Sequence, residues 1–358
     1  MYIYIHIPFC TSICSYCDFP KVLYDKKYIR NYLDSLKEEI ITRYQGEEVL
    51  TIYIGGGTPT SLDLEELEYL MEITKLFQKE EKIEFTVESN IESLTLEKIK
   101  LLKQYGVNRI SLGVQSFQQD TLKELNRHHT KEDVFEVVEQ LKKHNIKNIS
   151  IDYIYGINSD LEKIKQDIKC FLQLDIPHIS CYSLIIEEST LFGIQKRDYI
   201  KEEVEEKMYQ EIRKTLTNHH YIQYEISNYS KPGYESLHNL NYWNNGEYYG
   251  FGLGAVSYLN HTRISNTKSL TKYLEKEYIL TKDYEDEQIR ISNTFMLGFR
   301  KIKGIDITLF KKEYQKEITE IEPVKELLQQ NILKLVDNHL KVNPDYLYLS
   351  NEIILKFL

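Results

Sequence analysis

The sequence predicts an α/β fold: a mostly parallel sheet with helices packed outside it, followed by a small α+β module. Three observations lead there. Six strand-like runs, 2–7, 49–54, 83–88, 109–114, 148–154 and 178–184, alternate with segments whose apolar residues recur at helical spacing. Polar and cysteine residues gather at the ends of these runs. From about Asp286 the pattern changes to short helices followed by a hairpin.

Taken in order, 28–44 carries Ile29, Tyr32, Leu33, Leu36 and Ile40 at helical spacing. The strand 49–54 runs into Gly55-Gly56-Gly57-Thr58-Pro59-Thr60, where missing side chains let backbone amides approach a ligand closely. A plain tight turn is the alternative for such a loop. Helices are expected over 64–77, 96–104 with Thr95 as N-cap and Gly106 as stop, 131–144 capped by Thr130, and 161–174. Glu88 and Gln115 end their strands, and Asp152 lies within 148–154. Residues 201–219 read as a surface helix. Further on, 288–299, 306–314 and 323–330 read as helices. Then 333–336 and 340–342 form a hairpin across Asp337-Asn338, and a mostly helical segment closes the chain over 343–357. The expected divisions are 1–230, a connecting segment 231–285, and a winged-helix-like domain 286–358.

The bulk properties exclude several classes. A net charge of −10 over 358 residues argues against broad nucleic-acid binding, which needs a basic field. No run resembles a transmembrane helix or signal peptide, so the expected compartment is the cytoplasm. Five cysteines, three of them clustered, fit metal ligation in a reducing compartment better than disulfides. Cys170 and Cys181 read as buried thiols.

The clustered cysteines are Cys10, Cys14 and Cys17, in a loop directly after the first strand. One short loop can turn three thiolates toward one centre. Three thiolates leave one iron of a four-iron cubane without a protein ligand, open to a small molecule. Two other readings stand beside this: a closed zinc site completed by His6, and ordinary buried thiols. In a parallel sheet, chemistry collects at the carboxyl ends of the strands, so Cys10, Cys14, Cys17, Gly56, Gly57, Glu88, Gln115 and Asp152 are expected on one rim.

Cys10-x3-Cys14-x2-Cys17, with Tyr16 as the aromatic, resembles the cluster loop of the radical S-adenosylmethionine superfamily. The flank Tyr4-Ile5-His6-Ile7-Pro8-Phe9-Cys10 resembles the branch that holds oxygen-independent coproporphyrinogen III oxidase and its relatives, the haem chaperones. The resemblance implies a partial (β/α)6 TIM-like barrel with the winged-helix-like domain covering its opening as a lid or docking element. It implies a 4Fe-4S cluster on the three cysteines, with the amino and carboxylate groups of S-adenosylmethionine on the open iron. Reductive cleavage there yields a 5′-deoxyadenosyl radical. Gly56, Gly57 and Thr58 match the family's glycine motif for the methionyl amino group. Val87-Glu88-Ser89-Asn90, Ser111-x-Gly113-Val114-Gln115-x-Phe117, Asn126-Arg127 and Asp152-Tyr153-Ile154-Tyr155-Gly156 match further motifs, with Ile157-Asn158 replacing Leu-Pro. On this basis Tyr4, Tyr16, Glu88, Gln115, Arg127 and Asp152 are assigned to the same cofactor. Arg127 as a surface salt bridge is the alternative.

A second motif lies at His238-Asn239-x-x-Tyr242-Trp243, before Tyr249-Gly250-Phe251-Gly252-Leu253-Gly254-Ala255. On composition alone a His near a Trp is more often packed than ligating. The resemblance implies a haem site with His238 as ligand and Asn239 and Tyr242 as neighbours. Phe19 stands where the oxidases carry a further cysteine, and the chain starts at the strand where they carry an extra segment. Cys17-Asp18-Phe19 and the His238-Asn239-x-x-Tyr242-Trp243 segment both favour a haem chaperone that delivers haem to an acceptor haem protein, without coproporphyrinogen oxidase activity. The oxidase, and a zinc-binding adaptor on a degenerate barrel, are the rival readings. A homodimer and peripheral membrane contact are traits the resemblance carries.

Overall fold

Strict alternation builds the central sheet. In β1 (Tyr2–Ile7), Ile3, Ile5 and Ile7 are fully buried beneath helices, while Tyr2, Tyr4 and His6 point the other way. The computed structural model describes residues 1–358. The same alternation recurs in β2 (Val49–Gly56), β3 (Lys79–Asn90), β4 (Arg109–Gln115), β5 (Asn148–Tyr155) and β6 (His178–Ser183). These six strands are parallel and adjacent in chain order, with α1 (Lys26–Arg43), α2 (Leu64–Ile73), α3 (Leu96–Gln104), α4 (Gln119–Glu124), α5 (Lys131–Lys143) and α6 (Leu161–Leu174) between them. The expected alternation is therefore present.

Capping fixes where the helices begin. Asp63 and Glu66 form a reciprocal capping box on α2, Thr130 and Asp133 one on α5, and Thr95 accepts from Lys98 N on α3.

Register sets the interior. Glu88 lies opposite Ser111, Gly113 opposite Asp152, and Asp152 opposite Ser180. Polar residues thus form rows across the concave side of the sheet.

After α7 (Leu191–Ile194) and α8 (Glu202–Asn218), β7 (Ile222–Gln223) and β8 (Asn228–Ser230) extend one edge antiparallel. The segment 231–285 is more structured than a connector. It holds α9 (Leu237–Trp243), then β9 (Tyr249–Phe251), which joins the opposite edge parallel to β1. The finished sheet runs β9-β1-β2-β3-β4-β5-β6-β8-β7, nine strands. A separate antiparallel sheet follows, from β10 (Val256–Leu259), β11 (Thr262–Asn266) and β12 (Ile279–Tyr284), with α10 (Leu270–Leu274) between the last two. The strand expected over 83–88 is longer, because its first residues pair near Val49.

The C-terminal segment matches expectation more closely. α11 (Glu287–Gly298), β13 (Ile305–Asp306), α12 (Ile307–Tyr314), α13 (Glu322–Gln329), β14 (Leu333–Val336), β15 (His339–Val342) and α14 (Ser350–Leu355) form helices around a three-stranded sheet. The turn at Asp337 and Asn338 places both residues at positive φ, which Asp and Asn tolerate best among non-glycine residues. No helix is long and apolar enough to cross a membrane.

Candidate functional site

The cysteine loop is held from three sides. Phe9-Cys10 bridges in parallel to Val22-Leu23. Ser15 N donates to Leu125 O at 3.2 Å, Phe192 N to Ser15 O at 3.0 Å, and Asn126 Nδ2 to Ile13 O at 2.8 Å. Tyr16 packs on a small apolar cluster of Leu125, Ile154, Ile157, Leu184 and Phe192. These contacts turn Cys10, Cys14 and Cys17 into one cavity of about 430 Å³.

The glycine turn faces them. Gly57 N donates to Ile7 O at 2.8 Å and Thr58 N to Phe9 O at 2.9 Å, stitching the turn to the loop. Thr58 Oγ1 lies 3.7 Å from Cys10 Sγ and accepts from Asn90 Nδ2 at 3.0 Å. Gly56 has φ 111°, and a Cβ there would collide with the His6 ring. A Cβ at Gly55 would come within 2.6 Å of the Glu88 carboxyl carbon, so that glycine makes room for Glu88.

Glu88 Oε1 accepts from the Tyr53 hydroxyl at 2.7 Å and Oε2 from Gly56 N at 3.0 Å. Burial nevertheless pushes its carboxyl up to about 7. Asp152, also raised by burial, accepts from Ser111 Oγ at 3.3 Å. Gln115 ends β4 at φ 66°, a left-handed turn that costs a non-glycine residue on the order of 1 kcal/mol. Arg127 is 6% exposed and donates through Nη2 to Gly113 O at 2.5 Å, while its Nε has no partner. The surface-salt-bridge reading of Arg127 is therefore overturned: the guanidinium lies on the cavity wall, not in solvent.

Cys10, Cys14, Cys17, Tyr16, Gly56, Gly57, Thr58, Glu88, Gln115, Arg127, Asp152 and Asn239 all line this single cavity. Tyr4, His238 and Tyr242 stand behind its wall. Tyr4 packs against Tyr53 and bonds His6 Nδ1 at 2.9 Å.

His238 is 1% exposed, with both ring nitrogens engaged: Nδ1 with Thr51 Oγ1 at 2.7 Å and Nε2 with the Tyr242 hydroxyl at 2.9 Å. Its ring stacks on Tyr53 at 5.1 Å. Burial lowers its pKa to about 3, so it is a neutral imidazole, but in this conformation neither nitrogen is free to ligate. α9 owes this position to Glu84, which accepts from Leu237 N and His238 N and so caps the helix from within the barrel.

The donor set bears on the metal. His6 Nε2 is 2.8 Å from Pro20 O and Nδ1 is held by Tyr4, so no nitrogen remains to complete a Cys3His set. No group of three His, Cys, Asp or Glu side chains converges on one ion. Burial pushes the Cys10 thiol up to about 11 and raises Cys17, so thiolates here need a cationic partner. Three sulfurs on one cavity wall, with no fourth protein ligand, fit a cubane with one open iron.

Tyr53, Arg109, Ser180 and Tyr182 line the cavity but escaped the sequence reading, and Asn90 and Ser111 appeared there only as motif members without a role. Parity was the available signal. Arg109 and Ser111 lie an even number of residues before Gly113, and Tyr53 two before Gly55.

A parallel half-barrel, with a three-cysteine loop and a glycine turn meeting at the carboxyl ends of its strands, defines the class: this is a radical SAM protein. The family model described as "Radical SAM superfamily" matches residues 4–170. Full-length relatives are more particular. Heme chaperone HemW of Lactococcus lactis is 39% identical over 99% of this chain and 96% of its own. Heme chaperone HemW of Bacillus subtilis is 36% identical over 99% and 98%, and that of Escherichia coli is 35% identical over 84% and 83%. The chain belongs to the HemW family. Among solved structures, coproporphyrinogen III oxidase (HemN) from Escherichia coli superimposes with TM-score 0.87 at 20% identity, over 99% of this chain and 89% of that one, which shows the shared fold.

Proposed function

We propose that this protein is a haem chaperone: it binds haem and passes it to an acceptor haem protein, on a scaffold carrying a 4Fe-4S cluster and S-adenosylmethionine. The observation that carries this reading is the reach of α9. Asn239 enters the cavity that holds Cys10, Cys14 and Cys17, while its neighbour His238 waits one layer behind. The relatives that share nearly the whole chain are named for haem.

Cys10, Cys14 and Cys17 hold the cluster. Gly56, Gly57 and Thr58 offer backbone and hydroxyl groups to the amino end of the cofactor, Arg127 takes a carboxylate, and Glu88, Gln115 and Asp152 take ribose and base. When bound, the cluster supplies one-electron reduction. His238 becomes a haem ligand once Thr51 and Tyr242 release it, with Asn239 and Tyr242 beside it. The C-terminal domain, 286–358, serves as lid or acceptor-docking element, and the protein works in the cytoplasm.

The test is anaerobic reconstitution followed by haem titration of wild type and His238→Ala, with coproporphyrinogen conversion measured alongside. The expected result is haem binding that weakens at least about tenfold in the variant, the scale of losing one strong ligand contact, and no conversion. Unchanged haem affinity in the variant removes His238 as ligand; robust conversion removes the chaperone reading.

A further inference from the structure

Arg109 is 2% exposed, at the inner end of the cavity, and its Nε and Nη1 are buried without any hydrogen-bond partner. A buried guanidinium left unsatisfied is costly, so a site that tolerates one is built to receive an acceptor. The carboxylates around it are already committed. Glu84 caps α9 through Leu237 N and His238 N. Glu88 holds Tyr53 and Gly56. Asp152 holds Ser111. None of them bonds Arg109.

Arg127 is a separate guanidinium. Its Nη2 is anchored to Gly113 O, further along β4 toward the cysteine loop. The cavity therefore carries two guanidiniums at different depths. Phe19, Tyr182 and Ile185 are exposed apolar side chains on its wall.

We propose that Arg109 is the inner anchor for a carboxylate arm of the ligand carried in this cavity, beyond the carboxylate that Arg127 takes. Nη2, the one guanidinium nitrogen not sealed from the cavity, also makes no hydrogen bond, and a carboxylate oxygen can meet it there. Resting on the haem reading above, the arm is a haem propionate, with the apolar porphyrin edge against Phe19, Tyr182 and Ile185. Burial holds Glu88 partly protonated near neutral pH, which lessens the repulsion an entering carboxylate meets.

The experiment titrates reconstituted wild type, Arg109→Gln and Arg109→Lys with haem and with haem dimethyl ester. Iron content and thermal melting confirm that each variant is folded. Wild type should bind free-acid haem about tenfold or more tighter than the diester, the scale of a charged hydrogen bond. Arg109→Gln should lose that preference and leave diester affinity unchanged, and Arg109→Lys should restore part of it. Equal losses for both ligands, or an intact preference in Arg109→Gln, overturn the anchor. Wild type that binds both ligands equally overturns the anchor and leaves the chaperone reading standing. Wild type that binds neither overturns both.

Discussion

The Tyr53 hydroxyl donates to Glu88 at 2.7 Å, and the face of the same ring stacks on His238 at 5.1 Å. Tyr53 thus touches both halves of the proposed site: the carboxylate beside the glycine turn and the imidazole of the haem motif. Replacing it with Phe keeps the stack and deletes the hydrogen bond. Tyr53→Phe should raise the Glu88 titration further and weaken S-adenosylmethionine binding by about tenfold, the scale of one charge-assisted bond. Calorimetric titration of the reconstituted protein checks this; wild-type affinity in the variant contradicts it.

Glu88 gives a stability signature with a definite sign. Its folded-state pKa, about 7, is above the ordinary 4.5, so the folded form holds the proton more tightly. Its contribution is complete below about pH 4.5 and is lost as pH rises through 7. Glu225, also raised to about 7 by burial, acts in the same direction. The difference between Glu88→Gln and wild type cancels Glu225 and the buried histidines. That difference should grow with pH from 4.5 and level off above 7, favouring the variant by on the order of 3 kcal/mol at most. Urea unfolding of the apo-protein at several pH values reads it; a flat difference refutes the Glu88 environment described above.

Releasing His238 should help haem. Tyr242→Phe removes the partner of Nε2 while keeping the ring packed edge-on at 4.9 Å. Losing one hydrogen bond of about 1 kcal/mol should speed haem association roughly fivefold. Stopped-flow absorbance measures the rate. A slower rate shows that Tyr242 contacts haem directly rather than guarding the ligand.

Gly113 reserves the space of Arg127. A Cβ there would overlap Arg127 Nη2, the end of a flexible side chain, while φ at this glycine is ordinary. Gly113→Ala should therefore cost little stability, within about 1 kcal/mol, and displace the guanidinium. Affinity for S-adenosylmethionine should fall at least about tenfold. A variant with intact affinity means Arg127 does not hold the cofactor carboxylate.

The central fold was legible because its signals are local and repeated. Each barrel strand alternates, α1, α2, α3, α5 and α6 each have a side-chain N-cap, and Glu88, Gln115 and Asp152 fall near strand ends, where register brings them together. The segment 231–285 was not legible for the opposite reason. β9 is three residues long and exists by pairing with β1, while every residue of β12 is exposed, so no buried face marks it in the sequence. The position of α9 depends on Glu84, more than 150 residues earlier, and no spacing rule reports such a contact. Arg109 was passed over as a strand residue because its role shows only once the neighbouring carboxylates are seen to be occupied.

The proposed function depends on Cys10, Cys14 and Cys17 holding a cluster whose free iron would face the glycine turn. The most direct measurement is electron paramagnetic resonance of the anaerobically reconstituted, reduced protein, with and without S-adenosylmethionine. A reduced 4Fe-4S signal that changes on adding S-adenosylmethionine, and is absent from Cys17→Ser, is the predicted result. Zinc in place of iron, or a cluster signal indifferent to S-adenosylmethionine, contradicts it.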